Sequence, residues 1–304
     1  MIDLATLRSL RSVATTGSVS AAALELGFTP SAVSQQVKRL ERDTGVRLLE
    51  RVGRGVALTP AGRELAARSG RLLVELETLE SELQSRSEAV SGTLRVVAFS
   101  TAMRGLVADA AARVTSQHPR LRLELDEGEP WAAVSQVAGG GYDLGVVHSW
   151  GDVPIDVPEA LVRHDLGTDV ADVLVPSGHR LATAPVLRPA DLLTESWVAT
   201  PEGTICRQWL ERMYDGTGAA PRIGHRCAEF DSQIALVARG LGIALVPRLG
   251  RSPLPASVIA VPATEPVPSR QIVAVHRRSM HAAPAVQAVL AALTAPPARS
   301  SEER

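Results

Sequence analysis

Residues 17–41, GSVSAAALELGFTPSAVSQQVKRLE, constrain this chain more than any other stretch, because they spell two short helices joined by a glycine turn. Ala21, Ala22, Leu24 and Leu26 give the first helix a small apolar face, and Gly27 ends it, since glycine tolerates the positive φ of a sharp turn. Thr29 and Pro30 predict the next helix start, a hydroxyl cap followed by proline in the first turn. Val33, Val37 and Leu40 fall at i, i+4 and i+7, one buried stripe. Ser31, Ser34, Gln35, Lys38 and Arg39 are left outside, all hydrogen-bond donors and none acidic. Such a face suits DNA, where it must approach phosphates and offer donors to base edges. An ordinary helical hairpin with a solvated polar face has the same outline, so the neighbouring sequence decides.

That neighbour is residues 45–62, GVRLLERVGRGVALTPAG: a short apolar segment, a basic tip at Arg51, Gly53, Arg54 and Gly55, then Val56 and Leu58 returning. It predicts a two-stranded wing whose arginines reach a minor groove or flanking phosphates. Charge agrees in direction. Residues 1–60 carry eight Lys/Arg against five Asp/Glu, a net +3, so the remainder carries −4 of the total −1.

The run from Ala5 to Gly62 resembles the winged helix-turn-helix of LysR-type transcriptional regulators. The resemblance rests on Gly17-Ser18, Ala21-Ala22, Pro30-Ser31-Ala32-Val33-Ser34-Gln35-Gln36-Val37, Leu40-Glu41, Gly45, Leu48, Glu50-Arg51 and Leu58-Thr59-Pro60-Ala61-Gly62. It extends in outline to the C-terminus. Leu49 departs from it, standing where the family usually has phenylalanine, an exchange expected only to repack the core near the wing. The DNA contacts expected are Pro30 shaping the helix start, Ser31, Ser34, Gln35 and Arg39 in the major groove, and Lys38, Arg51 and Arg54 on phosphates or in the minor groove.

From Thr59 to Ser87 only Pro60 breaks the helix-forming pattern, at the helix start. Leu65, Leu72 and Leu79 are seven apart, with Leu76 and Leu83 four residues beyond the last two. A heptad seam on a long single helix wants a partner, either the chain's own domain or a second subunit, and two recognition helices at fixed spacing favour the second. The resemblance implies this linker helix too, and a homodimer or homotetramer.

Beyond Ser91-Gly92, apolar strands alternate with helices, which predicts parallel α/β sheets in two small lobes. Strands are expected at 94–99, 121–125, 144–148, 172–175, 197–199, 222–227, 243–246 and 271–275. The resemblance implies lobes like those of periplasmic solute-binding proteins, with two crossings, placed near 162–167 and 262–268. The expected layout is therefore a winged helix-turn-helix domain (1–58), a dimerisation helix (59–90) and a two-lobed α/β effector-binding domain (91–304). Lobe I comprises 91–162 and 268–304, and lobe II 163–267.

Ligands of open α/β sheets bind beyond strand C-termini, where helix N-termini point. The strand ends here offer Ser100 and Thr101; Ser149; Thr200, Gly203 and Thr204; and Phe230 and Asp231. Hydroxyls and free backbone N–H groups suit a small carboxylate or other anion, although each hydroxyl also suits a helix cap. The resemblance implies that Ser100, Thr101 and Thr200 line the effector cleft. Trp131, Trp150 and His148 read as core residues. Cys206 opens a helix beside Arg207, which would lower its thiol pKa, so a redox switch with Cys227 stands as an alternative, as does a solute sensor without DNA function. No catalytic, cofactor or metal-ligand motif stands out, so no enzyme activity is expected. With no apolar run of membrane length and no signal peptide, a cytoplasmic location with no membrane partner is expected.

Overall fold

The computed structural model describes residues 2–53, 55–86, 89–151 and 153–295. The head is built from α1 (Leu4–Thr16), α2 (Val19–Leu26) and α3 (Pro30–Thr44), followed by the hairpin β1 (Leu49–Val52) and β2 (Gly55–Leu58). All three helices end on a glycine in the left-handed conformation, Gly17, Gly27 and Gly45. Thr29 caps α3 by accepting from Ala32 N–H at 3.2 Å, with Pro30 in the first turn. Val33, Val37 and Leu40 are buried as their spacing predicts. The face expected for α2 is corrected: Ala22 and Ala23 are buried, whereas Leu24 is 79% exposed. A short helix gripped on one side has room inside only for its smallest side chains.

Glu41, on α3, accepts from Leu48 N–H at 2.8 Å and Leu49 N–H at 3.2 Å, which ties the helix to the start of the wing. Leu49 is half-buried and touches both apolar clusters of the head. Thr59 caps α4 (Pro60–Ser85) through Gly62 N–H at 3.0 Å. A side chain at Gly62 would strike the Leu48 carbonyl, so only glycine lets the wing and α4 approach this closely.

The 26 residues of α4 span roughly 39 Å. Ala66, Ser69 and Leu73 are buried, with the helix lying on α1, while Leu72, Leu79 and Leu83 are more than half exposed. Further along come β3 (Gly92–Ala98), the short α5 (Ser100–Ala102), α6 (Ala108–Gln117), β4 (Leu121–Glu127), α7 (Pro130–Gly139) and β5 (Leu144–Trp150). There follow β6 (Leu161–Pro176), β7 (Ser196–Ala199), α8 (Ile205–Arg212), β8 (Arg222–Arg226), α9 (Phe230–Val237), β9 (Ala244–Pro247), β10 (Val258–Pro262), β11 (Ser269–Arg277) and α10 (Pro284–Thr294).

The sheets are mixed, which corrects the all-parallel expectation. β3 runs parallel to β4 and β5, and β7 to β8, but β11 is antiparallel to β5 and β6, and β6 to β9 and β10. The 16-residue β6 causes this: it pairs with β11 through Val170 and with β9 and β10 from Ala171 onward. One unbroken strand thus carries the chain out of the first lobe, and β11 brings it back. The first half of β6 and all of β10 escape sequence reading. In LVRHDLGTDVA no apolar run exceeds two residues, so pairing rather than propensity makes it a strand.

The head docks on the body at Gly139-Gly140-Gly141, the C-terminal turn of α7, where side chains at Gly139 or Gly141 would collide with Glu25 of α2. Arg277 clamps the junction from below. Its guanidinium lies 2.8 Å from Glu77 of α4 and 3.1 Å from Asp143, and donates to the Val137 carbonyl at 2.8 Å. Among the described residues no helix is long and apolar enough to cross a membrane.

Candidate DNA-reading face and effector cleft

The outer face of α3 presents Ser31, Gln35, Lys38 and Arg39 to solvent, with Pro30 exposed at its start and Ser34 half-buried. Ser31 Oγ lies 3.0 Å from Thr29 Oγ1, so it shares the cap. Arg39 sits 3.6 Å from Asp3, a loose surface pair that a phosphate can displace. Arg51 is exposed on β1; Arg54, the other wing arginine, lies outside the described residues. Gln36, which the face omits, accepts from Ser9 Oγ and locks α3 to α1. Gln36 and Glu41 thus hold α3 to its neighbours, while Ser31, Gln35, Lys38 and Arg39 stay exposed on its outer face.

The body holds a tight cavity of about 10 Å³ where β7, α8 and α9 meet Trp150, its polar edges being Thr200, Cys206 and Gln233, with Phe230 on its wall. Thr200 is connected to Thr204, whose hydroxyl donates to it at 2.9 Å while capping α8. Next to this cavity a row of side chains crosses three strands. Arg270 on β11 stands opposite Trp150 on β5 and opposite Asp169 on β6, so all three share one face. Arg270 is 1% exposed. It reaches Asp169 at 2.7 Å and donates to Thr101 Oγ1 at 2.7 Å. Its guanidinium carbon also lies 4.8 Å from the Phe99 ring centroid and 5.5 Å from that of Trp150. Trp150 in turn stacks on Trp209 at 5.8 Å.

Of the predicted cleft residues, Thr200 and Phe230 line the cavity, Thr204 supports Thr200, and Thr101 joins through Arg270. Ser100 is half-buried at the start of α5. Three fall elsewhere. Asp231 is exposed beside an outer hollow with Arg239 and Ser252, because α9 turns Phe230, Gln233, Ile234 and Val237 inward. Gly203 is exposed at the turn before α8, and Ser149 lies opposite Gln271 rather than on the cavity.

Of two single-residue readings, His148 is the core residue expected and the lowered Cys206 thiol is corrected. Burial, then the nearby Arg270 charge, pushes His148 well below the usual histidine range, and its Nδ1 has no hydrogen-bond partner among the described residues, so this ring is buried but unsatisfied. Burial pushes the Cys206 thiol up, outweighing the Arg270 charge that opposes it. Arg207, expected to lower it, points its guanidinium at Glu211 instead, at 2.8 Å. Both cysteines are free.

Sequence reading missed Arg270 and Gln233. Arg270 stands between Ser269 and Gln271, ahead of the apolar run of β11, so its own neighbours gave no sign that it is buried. Nothing local marked Gln233, whose amide donates to the Cys227 carbonyl at 2.9 Å.

Comparison with known proteins agrees with both halves. A family model described as the LysR substrate binding domain matches residues 87–296, and one described as the bacterial regulatory helix-turn-helix protein, lysR family, matches residues 4–63. The small neutral protease regulatory protein of Streptomyces coelicolor is 31% identical over 238 residues, 77% of this chain and 70% of its own length. An uncharacterised regulator of Shigella flexneri, YfeR, is 31% identical over 292 residues, 93% of this chain and 90% of its own. A full-length OxyR variant from Pseudomonas aeruginosa shares the fold, with a TM-score of 0.69 at 20% identity, covering 97% of this chain and 98% of that one.

Proposed function

The chain belongs to the LysR family of bacterial transcriptional regulators, DNA-binding proteins with an effector domain, and we propose that its signal is a small carboxylate or similar anion held between Thr200 and the Arg270–Thr101 pair. The layout expected from sequence serves this reading: a head to 58, a dimerisation helix over 59–90, and lobes divided at 162–163 and 267–268. Arg270 carries the proposal. It is a buried cation one ring away from a cavity whose remaining walls are mostly apolar. The cavity as it stands has room for about one water, so a compact ligand enters only as the walls around Trp150 and Phe230 part. The raised Cys206 thiol speaks against a peroxide-type switch, since the thiolate is the reactive form.

On the DNA side, Pro30, Ser31, Ser34, Gln35 and Arg39 read the major groove, and Lys38, Arg51 and Arg54 hold the backbone or minor groove. Two heads are brought together through the exposed Leu72, Leu79 and Leu83 row, in a homodimer or a pair of dimers. The protein acts in the cytoplasm by binding, not catalysis. A thermal-shift screen of small carboxylates tests the cleft: the best ligand raises the transition of the wild type and loses most of that shift with Thr200→Ala. An unchanged shift in Thr200→Ala removes the cleft assignment. A gel shift on DNA upstream of its own gene, with and without that ligand, tests the coupling.

A further inference from the structure

Away from the cleft, the fold gathers three histidines. His164 lies on β6, His276 on β11, and His281 just after the short turn that follows β11. In the antiparallel register His276 stands opposite Val162 while His164 stands opposite Ala274, so the two histidines are diagonal neighbours on one face. Their Nε2 atoms are 2.9 Å apart. The His281 ring centroid lies 5.6 Å from that of His276 and 6.3 Å from that of His164. One nitrogen from each ring falls within 4.8 Å of the other two.

The tautomer of the central ring can be assigned from its partner. His276 Nδ1 is 2.7 Å from the Arg277 carbonyl oxygen, which only accepts, so Nδ1 carries the proton and Nε2 faces His164 as a bare lone pair. A backbone carbonyl that fixes a ring's tautomer and direction from behind is the usual support of a metal-bound histidine. His276 is fully buried, His164 half-buried and His281 exposed, so the trio has a rigid floor and an open mouth.

We propose that His164, His276 and His281 form a binding site for a divalent late-transition ion, with Zn2+ the best match. Three imidazoles suit zinc, copper or nickel and do not suit magnesium or calcium, which want oxygen ligands. Zinc–nitrogen bonds near 2.0–2.1 Å place tetrahedral ligands about 3.3 Å apart, so the His164–His276 pair opens by a few tenths of an ångström and His281 closes in. Solvent at the exposed mouth supplies the fourth ligand. The ion ties β6, β11 and the residues behind Arg277 together. Since Arg277 clamps Glu77 of α4, the site sits at the root of the linker helix.

The test uses untagged full-length protein stripped with a chelator and titrated with Zn2+ by calorimetry, with Co2+ as a spectroscopic probe. The wild type is expected to take one ion per chain and, with Co2+, to show the visible bands of a nitrogen-ligated tetrahedral ion. His281→Ala, at an exposed position that leaves the folded core intact, is expected to weaken binding at least about tenfold and to lose those bands. His164→Gln is expected to do the same; where it compromises folding, the His281 variant decides alone. Absence of stoichiometric Zn2+ binding, or equal binding by wild type and His281→Ala, overturns the proposal and leaves a hydrogen-bonded histidine stack only.

Discussion

In the head, the groups proposed to meet DNA come mainly from one helix, Ser31 to Arg39, and stay in water. In the cleft they come from β5, β7, β11 and three helices between residues 101 and 270, and they are buried. The difference lies in what each partner supplies. A DNA backbone brings its own charge and hydration, so the protein needs only donors left free on a firm helix, which the apolar stripe of Val33, Val37 and Leu40 secures. A small ligand must be taken out of water, so the protein has to bury charge beforehand. It offsets that cost internally, with Asp169 against Arg270 and aromatic rings above and beside the guanidinium.

The contrast is broken most directly at Asp169. Asp169→Ala leaves Arg270 charged and buried without its counter-ion, and should cost about 3–5 kcal/mol in urea unfolding of the body. The exposed pair Arg68–Glu64, 2.7 Å apart, gives the reference: Glu64→Ala should cost under about 1 kcal/mol. Similar costs for the two variants would mean the cleft pair is no more shielded than a surface one. Next in size is Leu40→Ala, a fully buried residue of α3, expected to cost about 2–5 kcal/mol and to abolish DNA binding while leaving a cleft ligand's thermal shift intact. Loss of both activities together would show that head and body do not stand apart.

Within the DNA face, Gln35→Ala should lower discrimination at one base position by about 1–3 kcal/mol. Arg51→Ala should weaken every sequence alike and reduce the salt slope by about one. Equal loss across operator variants for Gln35→Ala would move it from reading bases to holding backbone.

The smallest effect concerns acid. Burial alone would raise the Asp172 carboxyl, but hydrogen bonds from Arg248 at 2.6 Å and Arg251 at 2.9 Å outweigh it and hold the group below its ordinary 3.8. A carboxyl whose folded pKa is depressed stabilises fully above its unfolded value and stops doing so as pH falls through the folded one. The stability gap between wild type and Asp172→Asn should therefore be widest at neutral pH and shrink below about pH 4, as read from urea midpoints. A gap that did not narrow in acid would mean that Asp172 contributes through packing alone.

The head was legible because its signals are local. Thr29-Pro30 starts α3, Gly27 and Gly45 end helices, and the apolar spacing names the buried side. Even there Leu24 misled, since a count of apolar residues cannot tell which side of a two-turn helix is gripped. In the body, the strand alternation was readable but the direction of pairing was not. The first half of β6 has no apolar run, and only its partners β11, β9 and β10 make it the strand that crosses between lobes. Adjacency groups Asp231 with Phe230, yet neighbours on a helix point roughly 100° apart, and one faces the cavity while the other faces solvent.

The sequence by itself determined the family, the recognition helix with its donor face, and the long helix whose leucines await a partner. Each of these is written in residues a few positions apart, where backbone geometry alone dictates who shares a face. Tertiary structure alone decided that Arg270 meets Asp169 and Thr101, that Cys206 lies against the cavity with its thiol raised, and that His164 meets His276 and His281. Those groups stand up to 169 residues apart along the chain, so only the register of β5, β6 and β11, with the helices and turns packed against them, brings them within reach of one another.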